Sequence, residues 1–87
     1  MKAKFNIFVP KKVKKSLLRI PMPWRERISN VVELLQYDQF LGEKMVGKLE
    51  GKRKIRVWPY RIVYMTDKKA KVIVILEISH RGNVSYD

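Results

Sequence analysis

Three cations, Lys54, Arg56 and Arg61, are threaded through the run "KIRVWPYRIVY" at residues 54–64. The rest of the run is largely β-branched and aromatic, which is the composition of a strand. Successive strand residues point to opposite faces, so Lys54, Arg56 and Trp58 share one side and Ile55 and Val57 the other. A helix pair covering the apolar side leaves Lys54 and Arg56 projecting from the opposite one, and an antiparallel neighbour can bring Arg61 beside them. The chemistry open to such a group is the binding of phosphate, which the planar arginine fork fits. Arg81, two residues beyond a later strand, can close the same patch, and Tyr86, in the tail "GNVSYD", reaches it if the tail turns back. The same alternation also describes the solvated face of a half-buried sheet. For Arg61, set among Tyr60, Ile62, Val63 and Tyr64, a snorkelling side chain is an equal alternative. His80 is the only histidine; a structural or solvated role is favoured for it over an accessory catalytic one. Trp58, beside Pro59, can pack locally or offer its ring to a base, and local packing is the expectation.

The balance of charge narrows the partner. The 87 residues include 20 Lys and Arg against 8 Asp and Glu, a net charge of +12. A body this small with that charge repels itself and favours a polyanion: nucleic acid, an anionic membrane or an acidic protein. Cysteine is absent, which excludes a disulfide framework, a cysteine-based zinc site and a thiol nucleophile. A single histidine excludes a multi-histidine metal site, and no cofactor is expected. Hydrophobic residues make up 46% of the chain, enough for a packed globule, and one domain over residues 1–87 is expected. No apolar run approaches the roughly 18 residues that span a bilayer. Lysines at 2, 4, 11, 12, 14 and 15 interrupt any signal-peptide core. The expected location is cytoplasmic, with no membrane contact.

The elements that must position the cations follow from periodicity. "KAKFNIFVP" alternates Phe5, Ile7 and Val9 with Lys4, Asn6 and Phe8, a strand ended by Pro10. "KKVKKSLLRI" places Val13, Leu17 and Ile20 on one helical stripe, and "PMP" breaks it. Trp24, Ile28, Val31, Val32 and Leu35 form the stripe of a second helix that fades near Asp38 to Gly42. The short break predicts a helical hairpin. "GEKMVGKLEGKRK" reads as a basic connector, with Met45, Val46 and Leu49 pinning it to the core; it lacks the spacing of a phosphate-binding P-loop. Strands at about 53–58, 60–66 and 71–79 complete an α+β fold in the order β-α-α-β-β-β. This is a small antiparallel sheet of about four strands packed on a two-helix hairpin. The last strand, apolar on both faces, is expected inside the sheet. Lys11, Lys12, Lys14 and Lys15 are most simply the wet side of the first helix, with nonspecific phosphate attraction besides.

At these residues the chain resembles the RelE/ParE toxin superfamily, on the RelE side. "KIRVWPYRIVYMTDKKAKVIVILEISHRGNVSY" looks like the C-terminal half of that family: a strand with alternating basic residues, a "YR-x-x-Y" strand, a turn, and an apolar strand ending in a "GHR"-like element. "LLRIPMPWRERI" resembles its helix joint and "KLEGKRK" its basic loop. The resemblance implies the RelE fold and the toxin of a type II toxin–antitoxin pair. It implies a ribosome-dependent endoribonuclease that cuts mRNA in the A site and inhibits translation, with an acidic RelB-type antitoxin, the ribosome and mRNA as partners. Carried over by position, Lys54, Arg56, Arg61, Arg81 and Tyr86 become the catalytic set. Lys11, Lys12, Lys14, Lys15, Lys52 and Arg53 become contacts to RNA and ribosome. RNA can be cut without a metal because its 2′-hydroxyl attacks the adjacent phosphate. The protein then supplies a base, charge neutralisation and an acid. Crowded cations shed protons more readily, which makes a lysine among arginines the candidate base. "WPYR" stands where the family more usually has Gly or Asp before "YR", and "ISHR" stands for "VGHR". Two other classes share the features: a ParE-like gyrase inhibitor without the catalytic set, and a basic RNA-binding module without activity.

Overall fold

The computed structural model describes residues 4–47 and 51–80. Its elements are β1 (Asn6–Phe8), α1 (Lys11–Leu18), α2 (Trp24–Leu34), β2 (Glu43–Lys44), β3 (Lys52–Val57), β4 (Tyr60–Asp67) and β5 (Val72–His80). The strands form one sheet in the order β1-β5-β4-β3-β2. The helices pack on one of its faces.

The order of elements is the expected one, and the sheet differs from expectation in two respects. It is mixed rather than antiparallel, because β1 runs parallel to β5, with Ile7 beside Ile73 and Phe8 beside Val74. A period of two places Ile7 inward for either strand direction, so alternation carries no information about polarity. The second difference is β2, whose two residues pair with Arg53 and Lys54 inside the segment expected to be a connector. Two residues are too few to show a period. Met45 extends that pairing, its N–H donating to Lys52 O at 2.9 Å. Val46 does not pin the segment to the core, being 84% exposed. Leu49 lies outside the described residues.

Between sheet and helices lies the core. Val13, Ile20, Ile28 and Leu35 from the helical side meet Ile62, Tyr64, Ile73, Ile75 and Ile78 from β4 and β5. The helical stripes therefore bury the residues their spacing selected. Arg25, in the first turn of α2, fixes the joint by donating from Nε to Ile20 O at 3.0 Å and from Nη2 to Leu18 O at 2.8 Å. Leu18 O is at the end of α1 with no intrahelical partner to accept from, and Ile20 O lies just beyond it. Among the described residues no helix is long and apolar enough to cross a membrane.

One irregularity decides which side chains of β5 face outward. Val63 pairs with Glu77 but Tyr64 pairs with Ile75, so Leu76 is an extra residue, a β-bulge. Before it the inward residues are Ile73 and Ile75; after it the inward residue is Ile78. Strict alternation from Ile75 would have turned Glu77 into the core.

Candidate nucleic-acid interface

The sheet face turned away from the helices carries the cations. Ile55 and Val57 pack toward the core, which sends Lys54 and Arg56 to the outer face. The β3–β4 register sets Arg56 directly opposite Arg61, and Lys54 opposite Val63. On the far side of β4, Arg61 is paired with Ser79 and Val63 with Glu77. Lys54, Arg56 and Arg61 thus form one group across two adjacent strands, with Lys52 one step further along β3 opposite Met65. Directly opposed like charges destabilise a sheet pair, so the Arg56–Arg61 pair needs compensation.

Part of that compensation is internal. Arg61 Nη2 lies 3.4 Å from Glu77 Oε2. Ser79 Oγ donates to the same carboxylate oxygen at 2.8 Å. The Arg61 side chain is only 11% exposed and that of Glu77 46% exposed, so the arginine is the desolvated member of the pair. The contact of Glu77 and Ser79 with the Arg61 group is not legible in the sequence, because the bulge at Leu76 reverses the facing of every later residue and nothing in "VIVILEIS" marks a bulge.

Other predicted residues fall elsewhere. Arg53 is on the inward side of β3, where its Nη1 donates to Gly42 O at 2.7 Å and its guanidinium lies 5.0 Å from the centre of the Phe40 ring. It fastens the turn before β2 to the sheet. Lys11, Lys12, Lys14 and Lys15 are exposed on α1, on the helical side of the molecule, away from the outer face. His80 meets Tyr60 edge to face, ring centres 5.2 Å apart, which is a packing role. Trp58 overturns the expectation of local packing: it is 72% exposed at the tip of the β3–β4 hairpin. Arg81 and Tyr86 lie outside the described residues. Among the described residues no group of three His, Cys, Asp or Glu could hold a metal ion.

Beneath the inward side of β4 sits a buried polar joint. Tyr64 is fully buried. Its hydroxyl donates to Gln39 O at 2.9 Å and accepts from the Gly42 N–H at 2.9 Å. Burial pushes its phenol above the ordinary tyrosine value, against the opposing pull of the Gly42 N–H and the Arg53 charge, while Asp38 adds to the rise. Gly42 must be glycine for steric reasons. A Cβ there would stand 2.8 Å from Lys54 O and 2.9 Å from both Ile55 Cγ1 and Tyr64 Cε1. Tyr64, Gly42 and Arg53 together lock β2 against β3, the strand that carries Lys54 and Arg56.

A family model described as the ParE toxin of type II toxin–antitoxin systems, parDE, matches residues 7–84. The chain belongs to this toxin family. Solved structures agree on the fold. A chain of the toxin–antitoxin complex RelBE2 from Mycobacterium tuberculosis superposes with a TM-score of 0.82 at 20% identity, covering 91% of this chain and 100% of that one. A chain of the archaeal RelE–RelB complex from Pyrococcus horikoshii gives 0.75 at 25% identity, covering 93% and 99%. The isolated RelE toxin of E. coli gives 0.75 at 21% identity, covering 97% and 89%. The expected RelE/ParE fold is therefore the observed one. No curated protein matches the sequence.

Proposed function

We propose that this protein is the toxin of a type II toxin–antitoxin pair, and that it acts in the cytoplasm as a metal-independent, ribosome-dependent endoribonuclease on mRNA. The observation that carries the reading is the alignment of Arg56 opposite Arg61, with Lys54 on the same outer face. Three cations on one rigid sheet face suit a phosphodiester whose charge grows in the transition state. In this reading Lys54 takes the proton of the 2′-hydroxyl, Arg61 holds the scissile phosphate, and Arg56 supports the leaving group. Arg81 and Tyr86 join on the strength of the resemblance alone, Arg81 on the phosphate and Tyr86 stacking on a base. Glu77 holds Arg61 at a fixed height above the sheet, so that the arginine meets a phosphate already oriented.

The partner proposed is an acidic antitoxin. The +12 charge supports this, as do the folds of neighbours solved in RelB–RelE complexes. A second reading has one observation in its favour: the matching family model is the one described for ParE toxins. On that reading the protein inhibits DNA gyrase and the outer face does no chemistry.

Single-turnover cleavage of mRNA on a programmed ribosome separates the two. Wild-type protein should cleave, and Arg61→Ala should lower the rate constant by about 2–4 kcal/mol of transition-state stabilisation. Cleavage at an unchanged rate in Arg61→Ala and Arg56→Ala, at saturating ribosome, would remove the catalytic assignment. Gyrase inhibition without loss of RNA would establish the second reading.

A further inference from the structure

We propose that Trp58 is a stacking platform for an unpaired nucleobase of RNA, set at the end of the cationic face that receives the neighbouring phosphate. The proposal rests on the RNA-binding reading of the outer face and adds a residue that contacts a base rather than the backbone.

Trp58 and Pro59 are the two residues between the closing pair Val57–Tyr60 of the β3–β4 hairpin. Trp58 does not stabilise the core, since 72% of its surface remains in water. The protein's other tryptophan, Trp24, packs against the core, as a structural tryptophan does. Trp58 therefore presents a large planar ring to solvent at the tip of the hairpin. The Arg56–Arg61 pair lies one ladder step behind the closing pair. Trp58 lies two positions beyond Arg56, about 7 Å of backbone. Cations tracking a phosphate chain beside an aromatic ring that takes any base is the arrangement by which single strands are held. A membrane surface is the poorer fit. Insertion needs a broad apolar face, whereas the flanking Val57 and Tyr60 are half-buried and the next residues are the arginines.

The test uses the full-length protein, a fluorescent eight-nucleotide RNA, and the same oligonucleotide made abasic throughout. Wild type, Trp58→Phe, Trp58→Ala and Arg56→Ala are titrated with both over a range of salt, with circular dichroism as the check on folding. Trp58→Ala should bind the RNA roughly 5- to 100-fold more weakly than wild type. Its affinity for the abasic strand should be unchanged, and so should the slope of affinity against salt. Trp58→Phe should keep most of the affinity. Arg56→Ala should weaken both strands alike and lower the salt slope by about 0.7. Equal RNA affinity of wild type and Trp58→Ala, with Arg56→Ala still impaired, overturns the stacking proposal and leaves the cationic face standing. RNA binding that neither variant impairs overturns both. An emission shift on phosphatidylserine vesicles that Trp58→Phe abolishes, without one on RNA, assigns the ring to a membrane and overturns it as well.

Discussion

Tyr64 is a phenol enclosed on every side, and its hydroxyl bridges Gln39 O and Gly42 N. Tyr64→Phe keeps the ring and strands both backbone groups in the interior, so the variant should lose about 1–3 kcal/mol by urea denaturation. The pH dependence has a definite sign. Burial raises the phenol, so as pH climbs through the alkaline range the unfolded chain releases this proton before the native one does. The stability due to the buried neutral phenol is complete below the unfolded value and is lost as pH rises through the native one. Tyr64→Phe should therefore show a shallower alkaline loss than wild type, and a steeper one would contradict the buried assignment. Glu77 is the second residue whose removal is informative. Glu77→Gln leaves the largely buried Arg61 charge facing Arg56 with its carboxylate gone. About 1–3 kcal/mol of stability should be lost, part of it recovered by added phosphate or sulfate, measured as the shift in thermal midpoint.

The joint between β2 and β3 fails at one atom. Gly42→Ala drives a methyl group into a backbone carbonyl and two side chains, and overpacking of this kind costs roughly 1–3 kcal/mol or more. Hydrogen exchange should then report faster opening of Lys52–Val57, with β5 still protected. At this scale the sequence was informative where a period could establish itself. The stripes Val13–Leu17–Ile20 and Trp24–Ile28–Leu35 gave two helices whose marked residues are buried or packed on the core. The alternation from Lys54 to Val57 gave the outward face of the cations. Three features were illegible for physical reasons. A two-residue strand has no period, alternation has no direction, and a bulge leaves no mark in an apolar run. The third mattered most, since Glu77 beside Arg61 changes the electrostatics of the site. Trp58 was misjudged because an aromatic beside proline is usually packed, and only its exposure shows otherwise.

Among the described residues two groups of cations lie on different sides of the molecule. Lys54, Arg56 and Arg61 occupy the outer sheet face, while Lys11, Lys12, Lys14 and Lys15 are exposed on α1 on the helical side. Their loss should be separable in kinetics. A Lys11→Ala, Lys12→Ala double variant should bind ribosomes with a salt slope lower by about 1–2 and cleave at the wild-type rate once saturated. A reduced rate at saturation would mean that α1 takes part in the chemistry. On the proposed RNA-binding reading, the two-sided arrangement also makes the protein bivalent. On that reading two RNA strands are held at once on opposite sides, each by its own set of cations. A protein with two such sites would act as a crosslinker. Mixed with long RNA at low salt it should build networks that scatter light most strongly near charge equivalence and dissolve when either component is in excess.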